Sequence, residues 1–387
     1  CKRRCVPQRA ENEREIKMTT VKDIYKYIEE FAPLAIAEKT DNPGFLVGDG
    51  NAQVNKVLVA LDVSPEVVAE ARSTGAQLIV THHPVIFRPV KSVRRDGAQA
   101  TLWELVHSGI SAICMHTNLD SAQGGVNDAL AETLGLKKLA VLHRAGVGAF
   151  KKIIVFVPRE NAQAVREAMS AAGAGKLGSY DGCAFEADGR GYFRPLEGAK
   201  PYAGSVGSSE QVSETRIEAI CASRDVASVV AAMKKAHPYE EPAYDVFTDE
   251  GVGAELGLGI AAQLDEERDL EEYARFVCSR VGASCAMVSR ASGRVRHIAM
   301  GSGSWNEDMT IAAKENGADT IVAGELRHEN VLLAHSLGMN VITAGHFETE
   351  NVVCPKLVEL IAKKFPDTQV RLADSDRSPS YYVRAAE

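Results

Sequence analysis

The sequence predicts an α/β protein in which a mainly parallel sheet, contributed by both ends of the chain, is interrupted by a compact α+β module of ferredoxin-like type. Three observations predict it. Short apolar runs alternate with amphipathic helical runs at both ends, the pattern of βαβ units. The middle of the chain has a different, glycine-rich texture. A length of 387 residues exceeds one ordinary core, because domains usually run to about 100 to 200 residues.

The elements follow in order. Residues 57–61 (VLVAL) read as a buried strand; Ser64 and Pro65 supply an N-cap and an N1 proline, Val67, Val68 and Ala71 share one helical face, and Gly75 ends the helix. A second strand at 78–80 runs into Thr81-His82-His83-Pro84. A helix over about 98–107 leads to a third strand at 112–115, which ends in His116-Thr117-Asn118-Leu119-Asp120. The same alternation returns late in the chain. Strands at 298–300, 320–323 and 340–344 run respectively into Gly301-Ser302-Gly303, Gly324-Glu325 and Gly345-His346-Phe347-Glu348-Thr349-Glu350. Between these halves come a strand at 152–157, a helix at 160–172, a turn-rich span at 173–207, a strand at 216–221, a helix at 226–236 and a strand at 243–247. That order is ferredoxin-like. The expected organisation is therefore one discontinuous domain, 18–150 with 251–387, and an insert at 151–250. Glycines 251, 253, 257 and 259 are expected in its exit linker, and residues 1–17 as an extension outside the fold.

Composition narrows the function classes. With 45% hydrophobic and 25% charged residues the chain can bury a core, and a formal charge of −8 without long basic runs argues against a nucleic-acid partner. No apolar stretch approaches the roughly 18 residues of a membrane helix, and the start of the chain has no hydrophobic signal region, so a cytoplasmic protein is expected. Eight scattered cysteines without CxxC pairs read as reduced thiols.

The chemistry concentrates at strand ends. In parallel α/β sheets the ligand crevice lies outside the carboxyl ends of the strands, where this chain carries His82 and His83, then His116 and Asp120, then His346 and Glu350. Any one of these histidines alone reads as a hydrogen-bonded loop residue. Converging on one edge of one sheet, they point to a metal site. Adjacent residues on an extended chain face opposite ways, so His82 and His83 suit two neighbouring ions better than one. His346 and Glu350 are four apart and share a helical face, with Thr349 as a possible cap. Imidazole and carboxylate without thiolate fits Zn, Mn, Fe or Co. His116 is open between ligand, orienting residue and proton shuttle. Gly301-Ser302-Gly303-Ser304 lacks the lysine of a phosphate-binding loop and reads as a tight turn.

Four motifs in order resemble one family. Asp41-Asn42-Pro43-Gly44-Phe45-Leu46-Val47-Gly48, Thr81-His82-His83-Pro84, His116 to Asp120 with Gly124-Gly125-Val126-Asn127, and Gly345 to Glu350 resemble the Nif3-like dinuclear metal-centre family, whose members also carry the name GTP cyclohydrolase I type 2 homolog. The resemblance covers nearly everything from Met18 onward. The insert resembles a PII-like or CutA-like module, through Tyr180 to Phe185 and His237 to Pro242. The resemblance implies two divalent metal ions held by His82, His83, Asp120, His346 and Glu350, with Glu350 bridging, and a homohexamer with the sites facing an internal cavity. One departure is Glu329, where many relatives place a histidine after His328.

Two functions are expected from these residues. The first is a metal-dependent hydrolase of a nucleotide or phosphoester, with a metal-activated water and with His116 and His328 as catalytic proton-transfer residues. The second is a hexameric regulatory or metal-handling protein whose insert binds a small effector or a protein partner.

Overall fold

A computed structural model of the chain describes residues 18–145, 150–177, 180–249 and 256–383. The extension expected at 1–17 and the linker glycines 251 and 253 lie outside the described residues. The expected single sheet is corrected to two. The first has five strands in the order Gly44–Val47, Ser111–Cys114, Leu78–Thr81, Lys56–Ala60 and Gln369–Leu372; the last four are parallel and Gly44–Val47 runs antiparallel at the edge. The second has six, in the order Met287–Ser289, Asn340–Thr343, Thr320–Ala323, Arg294–Met300, Gly257–Asp269 and Lys137–Arg144, with a parallel centre of three. Periodicity identifies strands but carries no information on which sheet each joins.

Both sheets are buried on both faces at their parallel centres. Lys56–Ala60, Leu78–Thr81, Thr320–Ala323 and Asn340–Thr343 are almost wholly inaccessible, which is why they read as unbroken apolar runs. The helix Pro65–Thr74 forms as its residues dictate: Ser64 Oγ accepts from the Val67 amide at 3.2 Å, and Gly75 closes it at φ +67°. Gly257 and Gly259, expected in a linker, instead begin the long strand Gly257–Asp269. Gly259 sits at φ +67° there, where an added Cβ would come 2.9 Å from Leu142 Cδ1. Its edge partner Lys137–Arg144 is mostly exposed, so no apolar pattern announces it.

Residues 150–249 hold a sheet of their own. Its strands lie in the order Ala184–Phe193, Glu210–Ala222, Phe150–Pro158, Tyr244–Asp249, all antiparallel, and two helices, Ala162–Ala171 and Val226–Ala236, cover one face. This is ferredoxin-like topology.

The last strand, Gln369–Leu372, pairs with Lys56–Ala60, so the end of the chain completes the sheet that its beginning starts. Glu70 fastens it: its carboxylate accepts from Arg371 Nη2 at 2.8 Å, from the Asp374 amide at 3.1 Å and from the Ser375 amide and hydroxyl at 2.8 and 2.6 Å. Burial pushes the Glu70 carboxyl up, but these donors outweigh it and hold it below its ordinary value of 4.5. Glu70→Gln is expected to cost about 1 to 3 kcal/mol at neutral pH, read by urea unfolding. A carboxyl depressed in the folded state stabilises above its unfolded pKa, and the contribution is lost as pH falls through the folded value. The gap between the two proteins should therefore close as the pH is taken below about 4.5.

Candidate metal centre

The carboxyl ends of the two sheets face each other, and the singled-out residues meet between them. His82 and His83 follow the strand Leu78–Thr81, His116 follows Ser111–Cys114, and Asp120 lies one turn on, in the short helix Thr117–Ser121. From the second sheet come His346 and Glu350, the two ends of the helix His346–Glu350 beyond Asn340–Thr343. The rings of His82 and His83 are 5.0 Å apart, His82 and His116 5.2 Å, and His83 and His346 5.4 Å.

All four imidazoles are anchored in one way. Nδ1 of His82 donates to the Met115 carbonyl at 2.9 Å, that of His83 to Asp62 at 2.9 Å, that of His116 to Asp41 at 2.7 Å and that of His346 to Glu325 at 3.1 Å. Each Nδ1 therefore carries a proton, and each Nε2 is the atom left to take a metal ion or a second proton. Asp41 is itself held by the Thr117 amide and hydroxyl at 3.0 and 2.5 Å. Burial pushes its carboxyl up, but the hydrogen bonds from His116 and Thr117 outweigh this and lower it to about 2.

The Nε2 atoms of His82, His83 and His346 approach two carboxylates. Glu350 Oε2 lies 3.0 Å from His83 Nε2 and 3.1 Å from His346 Nε2; Glu350 Oε1 lies 3.7 Å and Asp120 Oδ1 3.6 Å from His82 Nε2. Two of these distances are short enough for hydrogen bonds, but the directions are not: His82 Nε2 and Glu350 Oε2 are buried without a hydrogen-bond partner. An unpaired buried polar group costs about 1 to 3 kcal/mol, and here two share one cavity. A cation resolves that arrangement. Potential ligand atoms of His82, His83 and His116 lie within 4.8 Å of one another, and so do those of His83, His346 and Glu350.

The electrostatics agree. Burial lowers the His83 imidazole, but Asp62 and Glu350 outweigh it and raise it to about 10; Glu350, helped by Glu325, raises His346 to about 9 against burial. Burial pushes Glu350 up, yet the imidazoles of His346, His82 and His83 hold it well below the usual carboxylate range. The cavity thus favours positive charge at the Nε2 positions, as protons or as metal. The donor set of imidazole and carboxylate suits Zn, Mn, Fe or Co. Cys114, although near, is turned away: its thiol donates to the His82 carbonyl at 2.9 Å, and burial keeps it protonated.

The turn at Gly301-Ser302-Gly303 closes the site. An added Cβ at Gly303 would lie 1.9 Å from Glu350 Oε1 and 3.2 Å from His346 Nε2, so this glycine lets the backbone meet the ligands. Thr349 is not a cap: its hydroxyl donates to the Gly345 carbonyl at 2.8 Å and accepts the Gly303 amide at 3.1 Å, fixing the turn to the helix that carries Glu350. His328 is exposed at the head of the helix His328–Ser336, and no ring contact or hydrogen bond among the described residues joins it to the cluster.

Sequence reasoning missed Asp41, Asp62, Glu325 and Gly303. Each left a signal: Asp62 and Glu325 are acids just beyond buried strands, Asp41 heads one of the four motifs, and Gly303 lies in a strand-end glycine turn. Asp62→Asn or Glu325→Gln is expected to weaken metal affinity about 10- to 100-fold while leaving all proposed ligands in place, as measured by competition with a chelating dye.

A family model described as Duf34/NIF3 (NGG1p interacting factor 3) matches residues 19–379. The chain is 37% identical over 374 residues to the GTP cyclohydrolase 1 type 2 homolog of Halalkalibacterium halodurans, covering 95% of this chain and 100% of that protein. It is 38% identical over 373 residues to the homolog of that name in Bacillus subtilis, with the same coverage. The crystal structure of a Bacillus cereus protein related to NIF3 superposes with a TM-score of 0.81 at 36% identity, covering 95% of this chain and 100% of that one.

Proposed function

The chain belongs to the Duf34/NIF3 family, and from that membership we propose that it binds two divalent metal ions and acts as a hydrolase of nucleotides or phosphoesters. One observation carries the reading: the anchored imidazoles of His82, His83 and His346 bring Nε2 up to the carboxylates of Glu350 and Asp120, with His116 beside them, leaving His82 Nε2 and Glu350 Oε2 without partners. His82 stands by one oxygen of Glu350 and by Asp120, and His83 and His346 stand by the other oxygen, so His82, His83, Asp120, His346 and Glu350 would hold the ions, with Glu350 shared between the two halves of the site. When bound, the ions would lower the pKa of a nearby water and polarise the bond attacked.

The chain's own residues do the rest. His116 keeps its Nδ1 proton on Asp41, which fixes the ring and leaves Nε2 to ligate or to accept a proton at the mouth of the site. Of the two histidines proposed for proton transfer, His116 is favoured, because His328 stands apart from the cluster. Asp62, Glu325 and the Met115 carbonyl keep the remaining rings from turning. Opening of the purine imidazole ring, which the relatives' name suggests, and phosphoester cleavage are both compatible with this geometry. The test is turnover of GTP and of p-nitrophenyl phosphate esters at graded metal occupancy. Rates that rise with occupancy are expected, and no turnover at full occupancy would overturn the hydrolase.

A second reading has its own observation. The insert encloses a cavity of about 760 Å³ lined by Phe193, Tyr202, Tyr239 and Glu214, where an effector of a non-enzymatic regulator would sit. We also propose a cytoplasmic homohexamer; light scattering should give about six times the 41.6 kDa of one chain. No helix among the described residues is long and apolar enough to cross a membrane.

A further inference from the structure

Beside the metal centre lies a second cavity, of about 490 Å³, formed within residues 85–99. Its lining includes Phe87, Arg88, Lys91 and Ser92 and no acidic side chain, in a chain whose net charge is −8. Phe87 is 49% exposed, although burying such a ring would be favourable, and it stands edge-on to His116 with ring centroids 6.1 Å apart. The cavity therefore adjoins the cluster through Phe87. Other cations of this segment are engaged: Arg94 pairs with Asp96 at 2.9 Å, and Arg95 lies over the Trp103 ring. Arg88 and Lys91 are exposed and have no carboxylate partner among the described residues.

The position of the segment is fixed by the residues that fix the centre. Asn42 donates to the Ile86 carbonyl at 2.5 Å, while its neighbour Asp41 holds His116. One short stretch of chain thus sets both the imidazole and the aromatic beside it.

We propose that Phe87, Arg88 and Lys91 form the recognition element of the centre, selecting a substrate with a planar aromatic ring and a phosphate group. The ring stacks on Phe87, a contact that accepts any flat heteroaromatic, and the phosphate is held by the two free cations. An uncharged aromatic or a phosphorylated aliphatic compound satisfies only half of this element. The assignment rests on the hydrolase reading for its role in turnover but not for its binding, which allows the two to be tested apart.

The experiment measures equilibrium binding of GMP, guanosine and ribose 5-phosphate to the metal-loaded full chain by calorimetry. GMP is expected to bind about tenfold or more tighter than either half-ligand. Arg88→Ser with Lys91→Ser should erase the advantage of GMP over guanosine, and Phe87→Ala its advantage over ribose 5-phosphate. Metal content per chain should be unchanged in both variants. The proposal is overturned if GMP has no advantage, if the variants bind it as the unsubstituted chain does, or if Phe87→Ala loses metal, which would make the ring a mere support for His116. The expected pattern without turnover of any substrate would keep the recognition element and sink the hydrolase.

Discussion

Glu350→Ala is expected to leave the purification with far less than one metal ion per chain, where the unsubstituted protein carries about two, measured by plasma mass spectrometry without a metal-affinity step. The size of the effect follows from geometry. Glu350 is 4% exposed and its two oxygens reach three imidazoles on both sheets, so its loss removes an acceptor from both halves of the site at once. It also leaves the Nε2 sides of His82, His83 and His346 facing one another with Asp120 as the remaining carboxylate between them, Asp62 and Glu325 lying on the Nδ1 sides. The same loss leaves the imidazoles of a buried ion-pair cluster without their main counter-charge, so some stability is lost as well, and folding of the variant is checked by circular dichroism before its metal is counted. Metal content equal to that of the unsubstituted chain would remove the basis of the dinuclear reading.

Gly303→Ala should reproduce most of that loss without touching a ligand. Its Cβ would fall 1.9 Å from Glu350 Oε1, and the side that can move is the end of the Glu350 side chain. The carboxylate swings away, the fold stays, and metal affinity falls by an expected 100-fold or more. Gly303 also sits at φ +57°, where a Cβ costs roughly 1 to 2 kcal/mol, so some loss of thermal stability accompanies the change. Gly317→Ala provides the control. It has φ +76° and nothing within 4 Å of the added Cβ, so it should lose similar stability and keep its metal. Equal metal loss in both variants would assign the effect to backbone strain.

Much of this was legible in the sequence because it follows from local rules. The buried parallel strands read as apolar runs, Ser64-Pro65 and Gly75 marked their helix, and the rule that ligands gather at strand carboxyl ends picked out residues that the fold does bring together. What stayed hidden depends on which segments meet. Lys137–Arg144 and Gly257–Asp269 escaped because an exposed edge strand has no apolar alternation and Gly257 and Gly259 imitate a linker. Two sheets were taken for one because strand order leaves no trace in periodicity. Asp41, Asp62 and Glu325 are ordinary acids in sequence and gain a function only through the imidazole each happens to face. Gly303 became informative only once Glu350 stood against it.

The division of the centre between two sheets bears on how the protein is made. His82, His83, His116 and Asp120 leave the ribosome early, while His346 and Glu350 follow more than two hundred residues later. At about 5 to 20 residues per second that is an interval of roughly 10 to 50 seconds, and the strand Gln369–Leu372 that completes the first sheet comes later still. A nascent chain therefore exposes half of a chelating site with nothing to close it. Metal acquired then would be held loosely and exchangeably, so the identity of any ions finally bound would be set by which metal the finished, closed site retains rather than by which one arrives first.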